Sequence, residues 1–261
     1  MSLLRVDNLT VTFGLQNVLR NISFQVAAGE TLAVIGESGC GKTVLLKNLI
    51  GLIPPTAGSI QFDGLEITSM NEAELAAIRM HYGFVFQMAA LFDSMTIEEN
   101  LLFPMVQHTQ QSRQEMMTTI MKLLDEVGLS TNVLPKRPAE LSGGMRKRVG
   151  IARALVLHPK IVLYDEPTTG LDPIMTDVIN RLMAHMAKTY GITSIIVTHD
   201  MTTVRNVADR VIMLYPTARL KPKEPQILFD GPAREIEKSP ESRIRDFVFG
   251  DGTSRLREIG G

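Results

Sequence analysis

The chain has 261 residues and a net charge of −1, from 27 lysines and arginines against 28 aspartates and glutamates. Its hydrophobic fraction of 44% is ordinary for a globular protein with a substantial core. The balanced charge gives no overall attraction to nucleic acid, and the sequence contains no run of about 20 apolar residues that would predict a membrane span.

The single cysteine, Cys40, excludes an internal disulfide and fits a reducing compartment. The N-terminal residues lack the basic start and long apolar stretch of a signal peptide. We therefore expect a cytoplasmic protein, for which any membrane role comes through a partner.

Hydrophobic alternation along residues 4–13, and again around Ile22–Val26, predicts two half-buried strands. A short apolar strand at Thr31–Ile35 then leads through a glycine-rich loop into a helix predicted at Lys42–Ile50. The order of strand, loop and helix is the arrangement that a phosphate-binding loop needs.

The loop matches the phosphate-loop pattern G-x-x-x-x-G-K-[S/T]. Its residues are Gly36, Glu37, Ser38, Gly39, Cys40, Gly41, Lys42 and Thr43. Glycines let several backbone N–H groups point at one centre, and the following helix adds its positive dipole end, so the loop predicts a site for anionic phosphate. Lys42 would reach the β- and γ-phosphates, and Thr43 would place its hydroxyl on Mg²⁺.

From residue 88 to about residue 157 the pattern becomes mostly helical, and the α/β alternation then resumes. The elements predicted in this half of the chain are helices at 112–127 and 143–157, a strand at 161–164, a helix at 173–189, a strand at 194–198 and a helix at 201–209. A hairpin is predicted from Val211–Leu214 and Ile227–Phe229, joined by the basic connection 216–225.

A further strand is predicted at 82–86. Polar side chains follow this strand and the strands at 161–164 and 194–198, at the edge where parallel strands meet a ligand. Asp165 would help to hold Mg²⁺, and Glu166 would polarise the attacking water. His199 would donate a hydrogen bond to a γ-phosphate, and Gln87 would touch Mg²⁺ or the water. Taken singly, each of these residues also has an ordinary structural explanation.

A second anion-binding helix start is predicted at Leu141-Ser142-Gly143-Gly144-Met145. Ser142 would cap the helix at 143–157, and the two glycines would leave its first N–H groups bare. An ordinary capped helix with a basic face is the alternative interpretation of this segment alone.

The motifs together, in this order along the chain, resemble the ABC (ATP-binding cassette) ATPase family. Ser142, Gly143 and Gly144 match the signature motif of that family, and Asp172 lies in a segment like its D-loop. Phe13 stands where the family places an aromatic ring on adenine. The resemblance covers roughly residues 3–235.

The resemblance implies an α/β P-loop NTPase core with a mixed sheet flanked by helices. It places an ABC ATP-binding domain at 1–240, an inserted helical subdomain at 88–157 and a short C-terminal tail at 241–261.

The resemblance also implies a mechanism and partners. Two copies would form a head-to-tail homodimer around two ATP molecules with Mg²⁺, and drive integral membrane permease subunits at the inner face of the cell membrane. Glu166 would be the general base, His199 would contact the γ-phosphate, Gln87 would contact Mg²⁺ or the attacking water, and Asp172 would link the two copies. The permease would dock on the helical subdomain.

Two segments point to the cargo. Residues 86–96 and 243–250 are similar to the ATPases of MCE-associated lipid transporters, which include the maintenance-of-lipid-asymmetry (Mla) systems. This resemblance implies phospholipid transport. It is also compatible with two further partners, an MCE-domain lipid-binding protein and a small regulatory subunit. An importer of an amino acid or a metal is the alternative. The connection 216–225 is longer and more basic than the subfamily suggests, which leaves the role of the C-terminal region open.

Three other classes are disfavoured. An ABC ATPase acting on DNA or ribosomes would carry long coiled coils or two cassettes, which do not fit this length. A GTPase or small-molecule kinase has no use for Ser142 or His199 in these motifs. An inactive relic is disfavoured because Lys42, Asp165 and Glu166 are intact.

Overall fold

The computed structural model describes residues 2–252. In that range the chain forms ten strands: β1 Ser2–Phe13, β2 Gln16–Ala27, β3 Thr31–Ile35, β4 Ala57–Phe62, β5 Leu65–Glu66, β6 Tyr82–Val85, β7 Ile161–Asp165, β8 Thr193–Val197, β9 Arg210–Leu214 and β10 Ile227–Pro232. The same range contains eight α-helices: α1 Lys42–Leu49, α2 Glu72–Arg79, α3 Ile97–His108, α4 Arg113–Glu126, α5 Gly143–Leu155, α6 Pro173–Tyr190, α7 Met201–Val207 and α8 Ser242–Phe249.

The predicted α/β architecture is confirmed, with a mixed sheet and flanking helices. The predicted hairpin is also confirmed, because β9 and β10 pair antiparallel. Among residues 2–252, no helix is both long and apolar enough to cross a membrane.

The chain packs as two compact units, and their boundary falls within β8. The first unit contains residues 2–71 and 195–252. It holds an antiparallel sheet in the order β2-β1-β4-β5, together with strands in the order β10-β9-β3-β8. Its β3 runs parallel to β9, which places the carboxyl end of β3 beside Met213.

Helix α8 is part of the core of the first unit. Ile244 and Val248 are buried in one cluster with Ile35 and Met213, which lie on β3 and β9. The predicted C-terminal tail at 241–261 therefore begins as a packed helix, while its residues 253–261 lie outside the described residues.

The second unit contains residues 72–194, with strands in the order β8-β7-β6. Strands β6 and β7 are parallel, and α5 packs against β6, α3, α4 and α6. Helices α3, α4 and α5 lie within the range 88–157, whose status as a separate subdomain stays a prediction.

Asn100 organises the segment that precedes α3. It is fully buried, and its side chain accepts a hydrogen bond from the Phe92 amide at 2.8 Å. Its amide group donates to the carbonyls of Phe92 and Thr96 at 3.1 and 2.9 Å. It also donates to the Met95 carbonyl at 3.4 Å, so one buried side chain contacts four backbone groups of the non-helical segment before α3.

We expect Asn100→Ala to lower the free energy of unfolding by about 2–3 kcal/mol, because the change removes several hydrogen bonds of a fully buried side chain and leaves a cavity in its place. Denaturant titration measures this loss. Asn132→Ala, at an exposed position of the same unit, is the matched control and should change stability by less than about 0.5 kcal/mol. Equal losses in the two variants would contradict the role given to Asn100.

Candidate nucleotide site

The phosphate loop connects β3 to α1 and is packed so closely that two of its positions require glycine. Gly36 has a φ of 147°, and a Cβ there would lie 2.2 Å from the Leu214 carbonyl oxygen. Gly41 has a φ of 102°, and its Cβ would lie 2.7 Å from Leu19 Cδ2. No side chain caps α1, and an uncapped helix start directly behind a glycine-rich loop is the type of backbone site that binds anions.

Lys42 lies inside the curl of this loop. Its side chain is 9% exposed, and Nζ donates to the carbonyls of Gly36 and Glu37 at 2.6 and 3.1 Å. The ammonium group is therefore held inside the loop by two of its backbone carbonyls. Thr43, the next residue, is exposed at the first turn of α1. Cys40 packs inside the loop with 1% of its surface exposed, and this burial raises the pKa of its thiol.

His199 lies at the same edge of the first unit as the phosphate loop. The Thr198 amide donates to the Val34 carbonyl at 3.2 Å, so the end of β8 lies beside the end of β3. His199 follows directly and is exposed. Phe13 ends β1 with 50% of its surface exposed, which leaves a ring face available for stacking.

Gln87, Asp165 and Glu166 are brought to one edge of the second unit. Val85 of β6 is in parallel register with Tyr164 of β7. Asp165 and Glu166 follow Tyr164, and the exposed Gln87 follows β6 by two residues. These three polar residues therefore follow the neighbouring ends of two parallel strands.

Glu166 has a strained backbone. Its φ is 50°, in the left-handed region that non-glycine residues rarely occupy. Thr169 donates its hydroxyl to Glu166 Oε2 at 3.3 Å, and Lys147 Nζ lies 3.5 Å from the Glu166 carbonyl oxygen. Strain of this kind costs about 1–3 kcal/mol and persists where the surroundings fix it, often at catalytic positions.

Lys147 and Thr169 are the residues that the sequence did not assign to the site. Lys147 is 6% exposed, and burial lowers its pKa while the Glu166 charge opposes that shift. For Lys147, the only signal in the sequence was its place on the helix α5. A lysine in the interior of a protein is uncommon, so its burial there indicates a specific role.

The signature segment forms a capped helix start, as predicted. Ser142 Oγ accepts a hydrogen bond from the Met145 amide at 3.3 Å, and Ser142 and Gly143 are exposed. Gly144 is buried against α6, since a Cβ there would lie 2.5 Å from Met175 Cε. Asp172 caps α6 by accepting from the Met175 amide at 2.9 Å. Met175 therefore links the signature segment to the helix that Asp172 begins.

We expect Gly36→Ala to lower the free energy of unfolding by about 3 kcal/mol, because its Cβ would overlap backbone rather than a movable side chain. Gly39→Ala is the matched control, since Gly39 also has a positive φ but a Cβ there meets open space. Its cost should be about 1 kcal/mol, from backbone strain alone. Equal costs in urea unfolding would contradict the close packing at Gly36.

Comparison of the chain with known proteins identifies relatives in one family. The family described as ABC transporter matches residues 19–169, which is more than half of the chain. The probable ribonucleotide transport ATP-binding protein mkl of Mycobacterium leprae (strain TN) is 39% identical over 247 residues, 95% of this chain and 69% of mkl. The intermembrane phospholipid transport system ATP-binding protein MlaF of Escherichia coli (strain K12) is 34% identical over 249 residues, 95% of this chain and 89% of MlaF.

A solved structure shows the same fold. It is the dimeric post-hydrolysis state of the ATP-binding cassette MJ0796 bound to ADP and Pi, with 29% identity and a TM-score of 0.79. The match covers 88% of this chain and 99% of that one. The chain therefore belongs to the ABC transporter family, as one of its ATP-hydrolysing subunits.

Proposed function

We propose that two copies of this ATPase close head to tail around two ATP molecules and thereby drive a membrane permease. The observation that carries the proposal is the presence of two separate anion-binding helix starts in one chain. One is α1 behind the phosphate loop, and the other is α5 behind the exposed Ser142 and Gly143. The dimeric state of the MJ0796 cassette supports a nucleotide shared between two copies.

In this arrangement each copy contributes a different half of each site. The loop from Gly36 to Thr43 holds the triphosphate of its own ATP, and Phe13 stacks on the adenine. The signature residues Ser142, Gly143 and Gly144 close over the γ-phosphate of the ATP that the partner copy holds. Asp172 lies beside that junction, where it orients the segment before α6.

Hydrolysis requires a base at the γ-phosphate. Glu166 takes a proton from water as the water oxygen attacks phosphorus, and the bond to the bridging oxygen of ADP breaks. His199 donates a hydrogen bond to the γ-phosphate, and Gln87 orients the water. The positive φ of Glu166 and the hydroxyl of Thr169 fix the direction of the carboxylate before the nucleotide arrives.

The residues present fit a magnesium ion. Thr43, Gln87 and Asp165 offer hydroxyl, amide and carboxylate oxygens, which are the ligands that Mg²⁺ prefers. Among residues 2–252 no cluster of three or more His, Cys, Asp or Glu side chains could hold a metal. Mg²⁺ binds nucleotides through few protein groups plus the phosphates, and there it would neutralise the charge that develops during hydrolysis.

A groove in the second unit is the proposed docking surface for the permease. Its volume is about 270 Å³, and Phe86, Phe92 and Phe103 are among the residues that line it. These three side chains are 40–44% exposed, and Phe92 and Phe103 contact edge to face at 5.2 Å. Aromatic groups exposed together mark an interaction surface. Bound to a permease there, the ATPase would work at the inner face of the cell membrane.

We assign the cargo to the phospholipid class. The chain covers 89% of MlaF, and its residues 86–96 and 243–250 resemble the lipid-transport subfamily. An MCE-domain lipid-binding protein and a small regulatory subunit are then further partners. Ribonucleotides are the second candidate cargo. The name of mkl refers to ribonucleotide transport, and mkl is 39% identical to this chain.

We expect Glu166→Gln to bind ATP but to hydrolyse it about 10²–10⁴-fold more slowly, because the amide cannot accept the proton from water. Phosphate release at saturating ATP measures the rate. Lys42→Ala should differ from it by losing ATP affinity, since the ammonium inside the loop is removed. Wild-type turnover in Glu166→Gln would overturn its role as the base.

The cargo assignment predicts a selective stimulation of ATP hydrolysis. The chain would be copurified with its permease in detergent and placed in liposomes, and ATP hydrolysis and release of a fluorescent phospholipid would be recorded. We expect phospholipid to raise the rate and ribonucleotide to leave it unchanged, with Glu166→Gln inactive throughout. Stimulation by ribonucleotide alone would contradict the lipid assignment.

A further inference from the structure

The connection between β9 and β10, residues 215–226, packs against β2 of the same unit. The Arg20 guanidinium on β2 donates to the carbonyls of Glu224 and Lys221 at 2.5 and 3.3 Å. The Thr217 hydroxyl donates to the Asn17 carbonyl. The basic connection whose role the sequence left open is thus an ordered part of the first unit.

Gln226 attaches the end of this connection to the phosphate loop itself. The residue is 1% exposed, and its side chain accepts a hydrogen bond from the Arg20 amide at 2.8 Å. Its amide group donates to the carbonyls of Val18 and Cys40, both at 3.0 Å. A buried amide with three backbone partners fixes the spacing between the connection, β2 and the loop.

Arg219 makes the second link, to the acidic residue of the loop. Its Nη1 lies 2.5 Å from Glu37 Oε1, and the two side chains are 21% and 29% exposed. The Glu37 carbonyl also accepts a hydrogen bond from Lys42 Nζ. Glu37 therefore has a carboxylate bound to Arg219 and a backbone bound to the lysine that reaches the phosphates.

Tyr215 and α8 hold Arg219 in place. The guanidinium carbon of Arg219 lies 4.7 Å from the Tyr215 ring centroid, and that of Arg243 on α8 lies 4.9 Å from it. Arg243 is itself paired with Glu224 and Glu241 at 2.8 and 2.9 Å. Two cation–π contacts on one ring connect the C-terminal helix to the connection.

A carboxylate in a loop that binds a triphosphate is an electrostatic problem, because like charges a few ångströms apart repel. We infer that Arg219 is a positioning residue for nucleotide binding, which neutralises Glu37 and holds it in place, with Tyr215 and Arg243 of α8 as its support. The inference rests on the phosphate loop binding nucleotide, and gives the C-terminal region a role in that binding.

The test measures the dissociation constant for MgADP by calorimetry, since the chain does not turn ADP over. Arg219→Ala should raise this constant about fivefold, the size of a partly exposed charge interaction. The double variant Glu37→Gln/Arg219→Ala should return to within about twofold of wild type, because the uncompensated carboxylate is gone. If Arg219 only stabilised the fold, Glu37→Gln would not restore the dissociation constant for MgADP.

Arg205→Ala is the matched control, since Arg205 pairs with Glu237 at 2.6 Å elsewhere in the first unit. It should leave the constant unchanged. Arg243→Ala should weaken MgADP binding about twofold, through loss of support for Tyr215. Arg219→Gln replaces Arg219→Ala if the latter does not fold, as judged by its melting temperature.

Wild-type MgADP affinity in Arg219→Ala, or a weakened affinity that Glu37→Gln does not restore, would overturn the inference. Unchanged affinity in Arg243→Ala would overturn the part assigned to α8. Failure of the phosphate-loop assignment is distinguishable, because Lys42→Ala would then retain full affinity.

Discussion

The phosphate loop depends on a close approach of backbone to backbone. A Cβ at Gly36 would lie 2.2 Å from the Leu214 carbonyl oxygen, so the loop can follow its path only if this position has no side chain. That path places the Lys42 ammonium within hydrogen-bond distance of two loop carbonyls and leaves the start of α1 without a side-chain cap. The anion site is therefore a property of backbone packing between β3, β9 and β2, to which the side chains of the loop are added.

The same packing explains why residues remote in sequence bear on the site. Leu214 ends β9, and the connection that follows it returns to the loop through Arg219 and Gln226. In the second unit, Glu166 has a left-handed backbone, its carbonyl contacts Lys147 of α5, and its carboxylate accepts a hydrogen bond from Thr169 in the segment before α6. The strained backbone at Glu166 and the close packing at Gly36 both cost free energy of folding. Both also fix the shape of the site before its ligand binds.

Sequence reasoning located what is encoded locally. The strand at Thr31–Ile35 and the helix start at Lys42 coincide with β3 and α1, because a glycine-rich break separates two clear patterns. Helix α3 was not predicted as an element, since Pro104 interrupts its pattern, although Thr96 and Glu99 form a capping box at its start. That box was the signal that could have identified it.

The unpredicted features are those that depend on tertiary contacts. Arg219 and Glu37 are 182 positions apart, and no periodicity relates them. The buried position of Lys147 and the positive φ of Glu166 arise from packing around β7, which a single sequence does not display. The roles given to Phe13, Gln87, Asp172 and His199 remain predictions. Within its own unit, each of these residues lies at a position compatible with the role proposed for it.

The claim that each nucleotide is shared between two copies is tested most directly by complementation. Lys42→Ala and Ser142→Arg would be co-expressed with different affinity tags, and the mixed dimer would be purified through both tags. If each site joins one copy's phosphate loop to the other copy's signature segment, the mixed dimer contains one intact site and hydrolyses ATP, while each variant alone is inactive. A mixed dimer as inactive as its parents would contradict the shared site.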